Sequence, residues 1–210
     1  MPPPDPDTGQ ASGQPACPAT LHWQRCFVAL TPARATAERL VLGSGPGVRA
    51  VSLADLHLTL AFIGDLPAEL GHVVARALPS LARPLGSLPL ETIEWWPDSL
   101  RPRVLVATFA ANDNLLALVA DLRTHLSDAG LPTGNAFRAH VTLARASRRM
   151  TADAAAAALR HPDLPSQACF TALTLYATRP DARAGHYWQA ASSALARADG
   201  LPGAPGRPSR

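Results

Sequence analysis

The residues of this chain best suited to chemistry stand in two copies of one frame. HLTLA at 57–61 returns as HVTLA at 140–144, although the chain has only seven histidines. With 14 Thr and 30 Leu in 210 residues, a histidine is followed by x-Thr-Leu about one time in a hundred by chance, so two such frames are roughly a few-in-a-thousand event. On a β-strand, residues i and i+2 face the same way. His57 and Thr59 should therefore share one face while Leu58 and Leu60 enter the core, and His140 and Thr142 should share a face in front of Val141 and Leu143.

Two imidazoles held opposite one another suit acid–base work. One can be neutral and take a proton from water while the other is protonated and gives one to a leaving oxygen. The hydroxyls of Thr59 and Thr142 can hold the non-bridging oxygens of a group whose negative charge rises in the transition state. The reacting group implied is a phosphodiester, with no metal and no cofactor required. Zinc wants three or four ligands, and no His, Cys or carboxylate stands at a suitable spacing beside either motif. Arg145 would suit a phosphate oxygen. It has the wrong parity for the face of His140, so it reaches the cleft only if the strand ends or bulges near Ala144.

Among the remaining candidates, His72 and His125 fall on helices and are expected at the surface, and His161 in a loop, while His186 could border the cleft. Phe27 and, less strongly, Phe62 lie on strands expected near the cleft, where one could serve as a platform for a base. Trp95 and Trp96 are adjacent and must face opposite ways in a strand. Core packing is expected for both, with stacking of a base as the other role open to the one that faces away.

The elements that must position these residues alternate between short strand-like runs and helical patterns. RCFVAL (25–30) reads as a strand, and Thr31-Pro32 as the N-cap and first turn of a helix reaching Leu42. VRAVS and HLTLAFIG follow as strands. A helix from Pro67 to about Leu81 presents Leu70, Val73, Val74, Ala77, Leu78 and Leu81 on one side. LETIEWW (90–96) and RVLVATFA (103–110) read as an antiparallel pair. A second half starts over with a similar alternation. It has a helix from Asn112 to Ala129 with Leu115, Leu118, Val119, Leu122 and Leu126 on one side, the strand FRAHVTLAR, a short Ala-rich helix (152–160), a strand at 168–178 and a last strand HYWQA. The expected fold is α+β: two antiparallel-sheet lobes with outer helices, related by a pseudo-two-fold around a central cleft.

Residues 1–22 and 196–210 are rich in Pro, Gly and Ser and poor in large apolar side chains, and are expected to be disordered tails around one domain at 23–195. The net charge of +3 and pI near 9.1 permit an anionic ligand. They fall short of the dense basic stripe of a protein that binds nucleic acid mainly through phosphates. All 19 basic residues are Arg, which points to compositional bias of the genome. Three cysteines without CxxC spacing fit a reducing cytoplasm. No apolar run reaches membrane-spanning length, and the first twenty residues lack the basic start of a secretory signal.

The paired His-x-Thr-Leu frames resemble the signature of the two-histidine (2H) phosphoesterases. RCFVAL, LHLTLAFIGDLP, FRAHVTLAR and LTLYAT…GHYWQA further resemble the bacterial RNA 2',3'-cyclic phosphodiesterase branch, often called 2'-5' RNA ligase-like, over about residues 24–191. The resemblance implies a bilobal α+β fold and metal-independent opening of a terminal 2',3'-cyclic phosphate to a 2'-phosphate. It implies roles as well: His57 as the acid for the departing 3' oxygen, His140 as the base that activates water, Thr59 and Thr142 on the phosphate oxygens, and Arg145 as a phosphate ligand. Ala139 departs from the family's frequent Pro before the second His, which could loosen the entry to that strand. The partners implied are RNA 3' ends or nucleotide cyclic phosphates, with no membrane and no stable protein partner, and the chain is expected to be a monomer. A 2'-5' RNA ligase, a phosphodiesterase of a small cyclic nucleotide or ADP-ribose cyclic phosphate, and a non-catalytic RNA-end binder are the competing readings.

Overall fold

A computed structural model of the protein describes residues 22–98, 100–133, 136–160, 164–178 and 187–196. His161, His186, Cys17 and both expected tails apart from His22 and Ala196 lie outside the described residues. Among the described residues, nine strands and four α-helices follow in the order β1 (His22–Pro32), α1 (Arg34–Leu40), β2 (Val48–Ala50), β3 (Leu58–Pro67), α2 (Ala68–Leu81), β4 (Leu88–Trp96), β5 (Val104–Phe109), α3 (Asp113–Asp128), β6 (His140–Ala146), α4 (Ala152–Ala158), β7 (Gln167–Ala168), β8 (Phe170–Thr178) and β9 (Tyr187–Ala194). No helix among the described residues is long and apolar enough to cross a membrane.

The strands pair antiparallel in the order β7-β4-β5-β6-β3-β1-β8-β9, with β2 also on β6. Strands β3 and β6, which carry the two motifs, are the innermost, and one residue pair joins them, Leu58 opposite Val141. Each is the first strand of its own four-stranded set: β3-β1-β8-β9 on one side, β6-β5-β4-β7 on the other. This is the expected α+β architecture of two antiparallel lobes about a pseudo-two-fold. The lobes are not successive halves of the chain, however. Strands β4 and β5 come before α3 yet serve the second motif, and β8 and β9 return to complete the lobe of the first.

The helices form where apolar spacing asks for them. In α3, Leu115, Leu118, Val119, Leu122 and Leu126 are buried as the pattern predicts, and Asn112 caps the helix by accepting the Leu115 N–H. In α2, Val74, Ala77, Leu78 and Leu81 are buried, while Leu70 and Val73 are half-buried. This helix packs on α3 and on β1, β3, β8 and β9. Leu58 and Val141, both fully buried, join the same core as the leucines of α3. The motif strands thus turn their alternate residues, the His and Thr, toward the other face.

Helix α1 corrects the expected start. Thr31 and Pro32 close β1, with Pro32 opposite Phe170, and the N-cap is Ala33, which offers no side-chain acceptor. Thr31 is drawn into the sheet because its hydroxyl shares hydrogen bonds with Thr174 (3.0 Å) and the Tyr176 phenol (2.9 Å), so cross-strand bonding outcompetes capping. Ala139 leaves the second motif strand well anchored: its carbonyl accepts the Phe109 N–H at 3.0 Å. His72 is exposed on α2 as expected. His125 is half-buried on α3 instead, with its Nε2 enclosed.

Candidate active site

The repeated frame holds more than an alternation. Between β1 and β3 the register passes from Ala29 opposite Thr59 to Val28 opposite Ala61, and between β5 and β6 from Val106 opposite Thr142 to Leu105 opposite Ala144. Each motif strand therefore carries one extra residue, Leu60 in the first and Leu143 in the second. Such a bulge inverts the parity of the residues after it. Leu60 and Ala61 are buried in succession, as are Leu143 and Ala144, and Phe62 and Arg145 then emerge on the exposed side. Arg145 thereby reaches the face of His140 and Thr142, which the alternation alone denied it. Phe62 takes the equivalent place in the first lobe.

Around the Leu58–Val141 pair, antiparallel register sets His57 opposite Thr142 and Thr59 opposite His140. The two histidines lie on a diagonal, with Cβ atoms roughly 7 Å apart or somewhat less. That separation suits a tetrahedral phosphate held between them. Both rings are oriented alike. Nδ1 of His57 lies 2.6 Å from the Asp55 carbonyl and Nδ1 of His140 lies 2.8 Å from the Arg138 carbonyl. A carbonyl only accepts, so each Nδ1 carries a hydrogen and each Nε2 is left as the atom that gains or loses a proton. The bond goes to the backbone two residues upstream, which is why Asp in one motif and Arg in the other serve equally.

The surroundings of the two rings differ. His57 sits in an aromatic box: Phe27 at 4.7 Å, Tyr187 at 5.4 Å edge-on and Tyr176 at 5.6 Å between ring centroids. Burial there pushes its pKa down to about 4, against the opposing pull of the Asp55 hydrogen bond, and the charges of Arg145 and His140 add to the lowering. His140 is also lowered, again chiefly by burial, against the opposing pull of the hydrogen bond to the Arg138 carbonyl and with the Arg138 charge adding to the lowering. Its ring rests on Trp96 at 4.5 Å. The Arg138 guanidinium lies over the same indole at 4.8 Å, and Glu94 Oε1 accepts from both the Trp96 Nε1–H (2.9 Å) and Arg138 (2.6 Å).

His57, Thr59, His140, Thr142 and Arg145 thus come together on one face, the four His and Thr side chains half-buried and Arg145 exposed. Phe27 is there too, but at 3% exposure it is the floor under His57, stacked between Phe62 and Tyr176. The open ring is Phe62, 51% exposed. Trp95 enters the core, its Nε1–H donating to the Ala155 carbonyl at 3.1 Å. Core packing does not hold for Trp96, which alternation sends to the histidine face. Tyr176, Tyr187, Glu94 and Arg138 are site residues that no local pattern marks; the alternation of Trp95 and Trp96 sends one of them to the site without saying which. Among the described residues, no three His, Cys, Asp or Glu side chains converge as a metal site.

Comparison with known proteins agrees with this geometry. The sequence profile described as the 2'-5' RNA ligase superfamily matches residues 22–182. The chain belongs to that superfamily. A structure described as a phosphoesterase matches with 27% identity and a TM-score of 0.65, covering 83% of this chain and 99% of its own. E. coli LigT, crystallised with 3'-AMP, matches with 26% identity and a TM-score of 0.64 over the same shares of the two chains. The TT0787 protein of Thermus thermophilus, at 22% identity, TM-score 0.62 and coverage of 81% and 97%, shares the fold. No curated protein sequence matches significantly. The two-histidine phosphoesterase resemblance is borne out as a LigT-like superfamily member, and with it phosphodiesterase-type activity.

Proposed function

We propose that the protein hydrolyses the terminal 2',3'-cyclic phosphate of RNA to a 2'-phosphate, without a metal. The observation that carries this reading is the pair of imidazoles, each locked by a backbone carbonyl at Nδ1 and set diagonally about the Leu58–Val141 pair. Water attacks phosphorus while His140 Nε2 takes its proton. The bond from phosphorus to O3' breaks, and His57 Nε2–H gives its proton to O3', leaving the phosphate on O2'. Thr59 and Thr142 donate to the non-bridging oxygens and Arg145 offsets their charge, at the place where charge grows in the transition state. Access supports the division of labour: His140 borders an open cleft through Trp96 and Arg138, which leaves room for a water, whereas His57 is walled by rings. That E. coli LigT was crystallised with 3'-AMP and with phosphate fits a site made for a nucleotide phosphate.

The test is incubation of the protein with an RNA oligomer ending in a 2',3'-cyclic phosphate in excess EDTA, with the terminal phosphate of the product mapped. A 2'-phosphate is expected. A 3'-phosphate would reverse which oxygen leaves, and loss of turnover in EDTA would refute the metal-free reading.

The pH dependence follows from the two lowered pKa values. Turnover needs His57 protonated and His140 neutral; because burial lowers His57 the more, this is the minor form of the singly protonated pair, and its population still peaks between the two pKa values of the free protein. His57 is at about 4 and His140 lies below its usual 6.5. The profile of kcat/KM is therefore expected to be a bell with its maximum below pH 6.5, falling on the alkaline side through neutrality. The kcat profile should be displaced upward, because a bound phosphate anion favours protonated imidazole. A kcat/KM maximum above pH 7 would contradict this.

A further inference from the structure

Beside His140 the structure opens a cleft of about 1450 Å³ lined by Arg49, Arg103, Arg138, Arg145 and Arg148 together with Trp96. Pockets built for a single small ligand run to roughly 300–1,000 Å³, so this one has room beyond a terminal nucleotide. No Asp or Glu among the described residues lines it. Of the five arginines, Arg138 is paired with Glu94, and the other four make no ion pair among the described residues. Arg49 on β2 stands directly opposite Arg145 on β6, and Val104 and Trp96 continue the same row across β5 and β4. Like charges directly opposite in a sheet repel and cost stability. Such a pair is stabilised when an anion lies against both guanidiniums.

The opposite lobe has a different character at the equivalent positions. The row that starts from Phe62 runs through Phe27 to Tyr176, aromatic throughout, where the row from Arg145 is cationic at one end. One side of the cleft therefore offers the open ring of Phe62 over buried rings, and the other offers a series of guanidiniums beside Trp96. A cyclic phosphate closes the 3' end of a strand, so the rest of an RNA substrate can leave the site only on its 5' side.

We infer that the arginine-lined cleft is a track for that 5' strand, with Arg49, Arg103 and Arg148 holding the phosphodiesters upstream of the reacting group. The inference rests on the proposed phosphodiesterase reading and adds the substrate class: oligonucleotides over mononucleotides. Arg145 stays with the scissile phosphate. Arg103 and Arg148 are exposed, and their replacement is expected to leave the fold intact.

The experiment compares kcat/KM for an RNA tetranucleotide and for a mononucleotide, both ending in a 2',3'-cyclic phosphate, in the wild type and in the Arg103→Ala/Arg148→Ala double variant. The wild type should prefer the tetranucleotide by about tenfold or more, and the variant should lose most of that preference while its mononucleotide kcat/KM stays within about twofold. Equal losses on both substrates, or no oligomer preference in the wild type, would overturn the track and leave the hydrolase reading standing. Failure to turn over either substrate would count against the hydrolase reading alone, because binding is measured separately, by fluorescence anisotropy of a 5'-labelled tetranucleotide with a terminal 2'-phosphate. Each phosphate contact to a single strand contributes about −0.7 to the slope of log affinity against log salt. The double variant should show a slope shallower by about 1.4, and an unchanged affinity and slope would refute the track. Displacement of the labelled RNA by ATP more readily than by an unlabelled tetranucleotide would assign the cleft to a polyphosphate instead, and would likewise refute it.

Discussion

His57→Ala and His140→Ala are each expected to lower kcat/KM for a cyclic phosphodiester by about 10² to 10⁴, the range over which a positioned acid or base contributes. The two are expected to act as a unit. In the proposed reaction, removing the acid leaves a base with no partner to complete the proton transfer, and the converse holds for the base. The double variant should therefore be little slower than the slower single one. Losses that multiply to about 10⁶ or more would mean that the two side chains act independently, against the diagonal arrangement about Leu58 and Val141. Folding must be checked alongside, because His57 fills part of the box made by Phe27, Tyr176 and Tyr187. His57→Gln keeps most of the volume and removes the titrating nitrogen, so a stable His57→Gln protein with the same loss of rate would locate the effect in the chemistry.

Leu58→Ala is expected to destabilise the protein by about 2–5 kcal/mol, the cost of removing a fully buried leucine and leaving a cavity. Leu58 is 0% exposed and faces Val141, also 0% exposed, in the one pair that joins the two motif strands. A cavity at this point lets the lobes shift against each other. Misplacement of catalytic groups by about 1 Å can cost on the order of 10² in rate, so kcat should fall even under conditions where the variant is fully folded. Urea unfolding monitored by tryptophan fluorescence, combined with kcat at low temperature, measures both effects. A loss below about 1 kcal/mol, outside the usual range for such a change, would show that the junction is held by other contacts. Normal kcat in a destabilised but folded variant would show that the lobes are aligned independently of this pair.

Much of the site was legible before the fold was known. The spacing His-x-Thr puts an imidazole and a hydroxyl on one face of a strand whatever the strand pairs with, because alternation is a local property of extended backbone. The apolar stripe of α3, from Leu115 to Leu126, was legible for the same kind of reason, at a period of 3.6. Even the difficulty with Arg145 was visible as a parity mismatch, together with the bulge that would resolve it.

Other features required the tertiary structure. The two lobes interleave along the chain, with β8 and β9 completing the first and β4 and β5 the second, because strand pairing joins residues far apart and no local pattern names the partner. Thr31 has the chemistry of an N-cap and yet lies in a strand, since Thr174 and Tyr176 on β8 offer its hydroxyl better bonds. Phe27 is buried under His57 and Phe62 is open, a distinction that hydrophobicity cannot make between two phenylalanines on neighbouring strands. The sequence by itself determined which side chains share a face and which reaction two imidazoles and two hydroxyls can perform. Only strand pairing decided the rest: β3 beside β6 that the two faces meet, β1 on β3 and β5 on β6 that bulges at Leu60 and Leu143 turn Phe62 and Arg145 toward them, and β8 on β1 that aromatic rings back one side of the cleft, because each of these depends on which distant strand lies alongside.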